Sequence, residues 1–199
     1  MLPSPAAYSL WDADFQQRSF RAVLRSFSFP GTVVALEASK EQTAAHVTAL
    51  CSLVDRSVTL ADVDGIIDGL TRRFLAAPAA GVETADFVLA RGAQKPPVAF
   101  CMRRGEIERP DAGAMLLLVG AAIDSASATA PASIELTGPG VDGARAVSLV
   151  GFHRAWFQWR NECVRYPLGV DLILTAGRTI CSIPHTSSVH ILGGAAWAM

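Results

Sequence analysis

The segment YPLGVDLILTAGRTICSIPHT, residues Tyr166–Thr186, specifies local structure more clearly than any other part of the chain. It contains two apolar, β-branched runs, Val170–Thr175 and Arg178–Ile183, which are separated by a turn at Gly177 and end at Pro184. This pattern predicts a β-hairpin. Since a hairpin is antiparallel, the sheet that contains it cannot be wholly parallel. The segment carries few reactive side chains, which favours a protein that works as part of a larger assembly.

The rest of the sequence predicts alternating helices and strands. Helices are predicted over Asp14–Ser28, from Ser39 to about Leu53, from Asp62 or Asp64 through Phe74, briefly from Pro96 to Arg103, and over Phe152–Val164. Strands are predicted over Thr32–Leu36, Ser57–Ala61, Asp86–Ala90, Met115–Val119 and Ser133–Thr137. The Ala- and Ser-rich stretch Ala121–Ala132 predicts a flexible loop. Without a break in composition, residues 1–199 are interpreted as one α/β domain with a mixed sheet.

The first predicted helix carries both an apolar face and a basic face. The apolar face consists of Phe20, Val23, Leu24 and Phe27, which recur at helical spacing. The third predicted helix has a similar apolar face, formed by Ile66, Ile67, Leu70 and Phe74. Asp14 and Gln17 have the spacing of a capping box. The basic face carries Arg18, Arg21 and Arg25. An ordinary solvated face is the favoured explanation of these arginines, and a contact with an acidic partner surface is the alternative.

Composition narrows the class of protein. Hydrophobic residues make up 51% of the chain and charged residues 18%, against about 25% charged in ordinary soluble domains. Either a high alanine content or an apolar patch covered by a partner explains this. The net charge of −1 supplies no field that attracts nucleic acid. The start of the chain lacks a signal-peptide pattern, and the longest apolar run, Ala114–Ile123, is about half of a membrane span.

The polar residues give weak signals for chemistry. Gly138-Pro139-Gly140 resembles a phosphate-binding loop, but Pro139 lacks an N–H donor, so a tight turn is favoured. Asp62 and Asp64, with Asp68 a turn later, form an acidic group that could hold magnesium, but helix capping explains the first two more simply. The spacing of the four histidines and four cysteines selects neither a metal site nor a Cys–His nucleophile. The cysteines suggest buried free thiols in a reduced, cytoplasmic compartment. The residues are His46, His153, His185, His190, Cys51, Cys101, Cys163 and Cys181.

Three segments together resemble the PhnH family, a subunit of the bacterial carbon–phosphorus lyase core complex. They are RSFRAVLRSFSFPGTVVAL, ELTGPGV and PLGVDLILTAGRTICSIPHTS, at residues 18–36, 135–141 and 167–187. The resemblance covers about Phe15–Val189. It implies a three-layer α/β/α fold with a mixed sheet, similar to the large domain of pyridoxal-phosphate-dependent transferases but without the cofactor site. It also implies homodimers, and partners among subunits G, I, J and L.

The resemblance implies that the chain supports the formation of α-D-ribose 1-phosphonate 5-triphosphate from ATP and a phosphonate. It also implies that the chain alone is not catalytic and binds no cofactor. A Schiff base to pyridoxal phosphate requires a lysine, and neither Lys40 nor Lys95 follows a late strand. Candidate contacts to phosphate or to other subunits are Arg18, Arg21, Arg25, Gly138, Gly140, Arg178 and His185. The alternative is a stand-alone phosphate-ligand protein or transferase with an Arg-lined site. Relatives often have Arg where this chain has His185.

Overall fold

The structure is a computed structural model that describes residues 10–37, 43–125, 132–193 and 197. These residues form four helices and twelve strands. The helices are α1 (Ala13–Ser28), α2 (Ala45–Leu53), α3 (Gly69–Leu75) and α4 (Ala155–Cys163). The predicted start of the second helix at Ser39 lies outside the described residues. None of the helices in these ranges is long and apolar enough to cross a membrane.

The strands form a central sheet and two smaller ones. Six strands in the order β1-β11-β10-β6-β3-β2 make the central sheet: β1 (Val34–Ala35), β2 (Leu60–Asp62), β3 (Phe87–Arg91), β6 (Met115–Gly120), β10 (Asp171–Ala176) and β11 (Thr179–Ile183). Four strands in the order β12-β8-β9-β7 make the second sheet: β7 (Ala122–Ser125), β8 (Ser133–Thr137), β9 (Arg145–Val150) and β12 (Ser188–Leu192). A separate hairpin joins β4 (Arg104–Glu106) to β5 (Arg109–Gly113).

The central sheet is mixed, as the hairpin predicts. Strands β10, β6, β3 and β2 pair in parallel, with Leu172 opposite Leu116 and Val88 opposite Leu116 on its other side. Strand β11 pairs antiparallel with β10, and β1 pairs antiparallel with β11. The predicted hairpin is therefore confirmed, and so is the α/β class with a mixed sheet.

The two faces of the central sheet pack against different layers. Alternate residues such as Leu117 and Ile173 belong to a core shared with α1, α2 and α3. Their neighbours Leu116 and Leu172 belong to a second core, which includes residues of the second sheet and of α4. Continuous apolar strands fit a sheet buried on both sides. The second face is covered mainly by β-strands, so the layer there differs from the purely helical layer of an α/β/α arrangement.

Helix α1 spans the predicted residues but buries a different face. The residues of the predicted apolar face differ in burial. Val23 is buried and Phe27 is half-buried, whereas Phe20 and Leu24 are exposed. The sheet-facing side instead carries Ser26, whose hydroxyl lies 2.5 Å from that of Ser182 on β11. Small side chains at this contact allow the helix backbone to approach the sheet closely, which turns the larger residues outward.

Several local predictions are wrong. The N-cap of α1 is Asp12, which accepts from the Phe15 N–H at 3.1 Å, whereas Asp14 lies in the first turn. The third helix starts only at Gly69, with Asp68 as its cap, so Ile66 and Ile67 lie before it. The stretch after Pro96 forms turns and then β4 in place of a helix, and the predicted loop from Ala121 contains strand β7, while residues 126–131 lie outside the described ranges.

Candidate functional site

The predicted contact residues fall into two groups at opposite ends of β11. Arg178 lies in the turn between β10 and β11, and its carbonyl accepts from the Leu36 N–H at 2.8 Å. The next residue, Glu37, pairs with Arg18 at 2.7 Å. The other end of β11 leads into Pro184 and His185. Arg21 and Arg25 lie exposed along α1 between the two ends. The seven predicted residues therefore do not form one site.

Gly138 and Gly140 serve a close-packed turn. Gly138 has a φ of +124°, and a Cβ added there would lie 3.2 Å from the Thr186 carbonyl oxygen. Gly140 has a φ of +80°, and a Cβ would lie 2.5 Å from the Ser28 carbonyl oxygen. Both positions favour glycine because side chains rarely adopt these angles. The turn packs against the end of α1 and the segment after β11, as the turn interpretation expects.

Asp171 and His185 form a hydrogen-bonded pair where β10 begins. One carboxylate oxygen of Asp171 accepts both the His185 backbone N–H at 2.7 Å and a bond from the ring Nδ1 at 2.8 Å. A Cβ added at Gly169 would lie 2.5 Å from the Cβ of His185, so a larger residue would displace the ring. An imidazole oriented by a carboxylate resembles the acid–base pairs of enzymes. The nearby Ser187 hydroxyl has no hydrogen bond in the described part, so no Ser-His-Asp relay is formed.

Arg160 holds the segment after β11 against α4. Its Nη2 donates to the Pro184 carbonyl at 2.7 Å and to the Ser187 carbonyl at 2.8 Å, and its Nη1 donates to Asn161 Oδ1 at 3.3 Å. The side chain is only 2% exposed. Burial lowers the pKa of Arg160 to about 10, against an opposing effect of the Asp171 charge. The guanidinium therefore stays charged at neutral pH.

A pocket of about 350 Å³ opens between α4 and the segment that leads into β12. Its walls include Arg160, Tyr166, His185 and Ser187. A second pocket of about 280 Å³, which also contains Asp171, shares Tyr166 and His185 with the first. Volumes of this size suit small-molecule ligands. The two pockets lie where the parallel strands begin, because Asp171 is the first residue of β10.

The opposite, carboxyl ends of β3 and β6 are filled by protein. Open α/β sheets usually bind ligands there. The ring of Phe152 instead lies so close to Gly120 that an added Cβ would be 2.1 Å from its Cε2, and one at Gly92 would be 2.7 Å from its Cδ1. Phe152 is 1% exposed. The two glycines therefore make room for this ring at the position where a ligand would otherwise lie.

The residues considered for metal binding or nucleophilic chemistry are separated. The described part contains no group of three or more His, Cys, Asp or Glu side chains placed to hold a metal. Asp62 accepts from the Ile66 and Ile67 N–H groups and from Arg72, so it organises the loop before α3. His153 accepts from the Ala155 N–H through Nδ1 at 3.1 Å. These contacts explain both residues structurally.

The four thiols are free but are not all buried. Burial raises the pKa of Cys51 and of Cys181 to about 12. Burial also raises the pKa of Cys163, which is half-buried. Thiols of this kind are poor nucleophiles because the thiolate is the reactive form. Cys101 is exposed, contrary to the prediction that all four are buried.

Sequence reasoning overlooked the residues that shape the pocket. Arg160 lies within a predicted helix, AWFQWRNEC, where it follows Trp156 by four residues and therefore shares its buried face. A lone arginine on an aromatic, buried face is an unusual pattern that points to a specific role. Ser187 carries no comparable signal, because only the tertiary contacts of the turn make it buried.

The exposed side of α1 is a second candidate surface. Phe20 and Leu24, four residues apart, are 47% and 53% exposed, and Phe29 beyond the helix end is 52% exposed. Arg18, Arg21 and Arg25 lie beside them, and all are exposed. We call Phe20, Leu24 and Phe29 the α1 apolar stripe. Exposed apolar groups of this kind indicate association surfaces when they are contiguous.

Comparison with known proteins identifies the family. A family model described as "Bacterial phosphonate metabolism protein (PhnH)" matches residues 9–190. The chain is also 33% identical over 192 residues to a Stutzerimonas stutzeri protein named "Putative C-P lyase subunit protein HtxG", with 96% of this chain and 94% of that protein covered. The segments quoted above, including the hairpin β10–β11, lie within both matches. The chain belongs to the PhnH family of bacterial phosphonate metabolism proteins.

Proposed function

We propose that this chain is a subunit of a carbon–phosphorus lyase complex in phosphonate catabolism. In this role it supports the formation of α-D-ribose 1-phosphonate 5-triphosphate from ATP and a phosphonate, and residues 1–199 act as one domain. The similarity to a protein named as a C-P lyase subunit supports the assignment. The observation in this chain that carries it is the α1 apolar stripe, an exposed surface that a partner subunit would cover.

Burial of the α1 apolar stripe favours association, and the arginines beside it select the charge of the partner surface. Phe20 and Leu24 are each about half exposed, and burying apolar surface contributes about 25 cal/mol per Å² before the costs of association. The neighbouring Arg21 and Arg25 require a partner whose surface around the apolar contact is acidic. We assign α1 to a contact with a different subunit, among G, I, J and L, rather than to a second copy of this chain.

A two-fold contact through α1 is disfavoured by charge. In such a contact the same surface meets itself, so the face of one copy that carries Arg21 and Arg25 would lie against the equally basic face of the other. Like charges placed together across an interface cost several kcal/mol, by the usual order of magnitude. The homodimer implied by the family resemblance therefore uses another face in our proposal.

A supporting, non-catalytic role agrees with the interior of the sheet. Phe152 occupies the space outside the carboxyl ends of β3 and β6, where an α/β enzyme usually binds its ligand. In our proposal the fold is similar to the large domain of pyridoxal-phosphate-dependent transferases but without the cofactor site, and the Phe152 ring fills the usual ligand position of the sheet. The free thiols support a cytoplasmic location.

Co-purification tests the proposal. The chain is co-expressed with the other core subunits, and the complex is isolated through a tag on one of them. We expect the unmodified chain to be recovered, and the double variant Phe20→Ala/Leu24→Ala to be recovered at least tenfold less. Ile107→Ala is the matched control, because Ile107 is 75% exposed on the turn between β4 and β5. Failure of the unmodified chain to join the complex would overturn the proposed function.

A further inference from the structure

The pocket beside α4 contains a buried positive charge that the described residues leave without a direct counter-ion. Arg160 takes part in none of the ion pairs in the described ranges, although it is 2% exposed. Asp171 acts on it only at a distance, and its carboxylate is bonded to His185. A buried charge without a partner is costly. An anion in the pocket would supply the missing charge.

Several hydrogen-bond donors at the pocket also remain unused. A guanidinium has five N–H groups, and the contacts of Arg160 with Pro184, Ser187 and Asn161 use three of them. Its Nε has no partner in the described part, and neither has the buried hydroxyl of Ser187, a residue 3% exposed. Buried donors without partners are rare in native proteins. Both residues line the pocket, with these two atoms shielded behind its wall, so a shift of the side chains on binding would bring them to a bound acceptor group.

The rim of the pocket adds groups with the same preference. His185 is held through Nδ1 by Asp171, which leaves Nε2 available to a ligand. Thr186 and Ser188, both exposed, add hydroxyls at the opening. These donors come from α4, from the turn after β11 and from the start of β12. Donors on different segments suit a group with several oxygens better than a planar carboxylate with two.

We propose that this pocket binds the phosphate or phosphonate group of a small ligand through Arg160, Ser187 and His185. The choice of a phosphorus oxyanion over another anion rests on the proposed function, whereas the anion site itself rests on the buried donors. The volume of about 350 Å³ is larger than one such group requires, so the remainder of the ligand extends past Tyr166 toward the second pocket. The site lies at the opposite end of the sheet from Phe152.

Titration of the purified full-length chain tests the site. Inorganic phosphate, methylphosphonate and ATP are added separately, with sodium chloride of equal ionic strength as the reference, and binding is followed by ³¹P NMR and by the melting temperature. We expect saturable binding at millimolar concentration. Binding of the two small anions identifies the free oxyanion as sufficient, and binding of ATP alone identifies a nucleotide phosphate as the source. Absence of saturable binding of all three would overturn the proposal.

Substitutions locate the binding within the chain. Ser187→Ala and His185→Asn are each expected to weaken binding by roughly tenfold or more, because each removes one hydrogen bond to a charged ligand. His190→Asn is the matched control, since His190 is exposed on β12 and does not line the pocket. Arg160→Lys is expected to weaken binding further, and Ser187→Ala keeps the test valid where that variant does not fold. Unchanged affinity in both Ser187→Ala and His185→Asn would contradict the assignment.

The outcome is separable from that of the proposed function. These titrations use the isolated chain, whereas the subunit role is measured by recovery with the other subunits. A chain that joins the complex but binds no oxyanion retains the proposed function and loses this inference. A chain that binds an oxyanion but joins no complex has the opposite result.

Discussion

Arg160 and Asp171 show how single residues secure the segment after β11. Arg160 supplies donors to two carbonyl groups of that segment, and Asp171 accepts two bonds from His185. The segment thus depends on side chains from α4 and from β10, which are distant in sequence. Such contacts are stabilising mainly because an unpaired buried polar group is costly.

Replacing Arg160 is expected to destabilise the fold. In Arg160→Met the carbonyls of Pro184 and Ser187 lose their donors, while the cost of burying a charge is removed. We expect a net loss of about 2 kcal/mol in the free energy of unfolding, measured by urea denaturation. Arg154→Met is the control, because Arg154 is exposed before the same helix, and it is expected to change stability by less than about 0.5 kcal/mol. Equal effects of the two variants would contradict the role given to Arg160.

Gly120 provides a second test at the residue scale. A Cβ at this position would overlap the Phe152 ring, so Gly120→Ala is expected to lower the free energy of unfolding by about 1–3 kcal/mol through overpacking. The double variant Gly120→Ala/Phe152→Ala should show a coupling between the two changes, because the smaller side chain removes the overlap. Gly81→Ala is the control, since nothing lies within 4 Å of a Cβ there. Additive effects in the double-mutant cycle would exclude direct contact as the cause.

Among the elements, α1 departs most from the behaviour of an ordinary amphipathic helix. It buries Ser19, Val23 and Ser26 and leaves Phe20 and Leu24 exposed. The hydroxyl contact between Ser26 and Ser182 requires a close approach to β11, which bulky residues would prevent. One side of α1 therefore packs on the sheet, and the other side is available to a partner.

The N-terminus of α1 yields a prediction at the element scale. Asp12→Ala removes the acceptor for the Phe15 N–H and is expected to cost about 1 kcal/mol. Asp14→Ala removes a charge from the first turn without removing the cap, so it should cost about half as much or less. Thermal unfolding monitored by circular dichroism measures both. A larger effect of Asp14→Ala would favour the capping box inferred from the sequence.

The whole molecule is organised by a sheet with two cores. Cys51 lies in the core shared with the helices, and Cys181 lies in the core shared with the second sheet. Burial raises the pKa of each thiol from 9.0 to about 12. The unfolded chain releases these protons at lower pH than the folded one. Stability is therefore expected to fall as the pH rises above about 9.

This linkage can be measured on the intact chain. We expect each buried thiol to contribute a loss of about 1 kcal/mol by about pH 10. The double variant Cys51→Ala/Cys181→Ala should show a shallower fall in the free energy of unfolding between pH 8 and pH 10 than the unmodified chain. Cys101→Ala, which alters an exposed thiol, is the control and should retain the steeper fall. Identical pH dependence in all three proteins would contradict the burial of the two thiols.

The predictability of the fold differs between its two sheets. Met115–Val119 and the β10–β11 hairpin are recognisable because strands buried on both faces are continuously apolar. Strands β7, β9 and β12 were missed because they are shorter or less uniformly apolar, as in Arg145–Val150. Their existence depends on pairing with one another, which local patterns do not encode.

The candidate sites were less predictable than the fold. His185 was singled out through the family resemblance, and the structure places it on the pocket beside Arg160. Arg160 itself was overlooked, because its role follows from carbonyl groups 24 and 27 residues away in the chain. The roles of Arg18, Arg21, Arg25 and Arg178 as partner or phosphate contacts stay predictions.

The hairpin, the buried strands, the mixed sheet and the family can all be predicted from the sequence, since they depend on local periodicity, on Gly and Pro positions and on ordered motifs. The folded chain was needed to show which face of α1 is buried, where Phe152 lies and which groups surround Arg160. These features depend on the fit between segments that are distant in the chain, and local patterns do not encode that fit. A small residue such as Ser26 or Gly120 acquires its meaning from the group that packs against it.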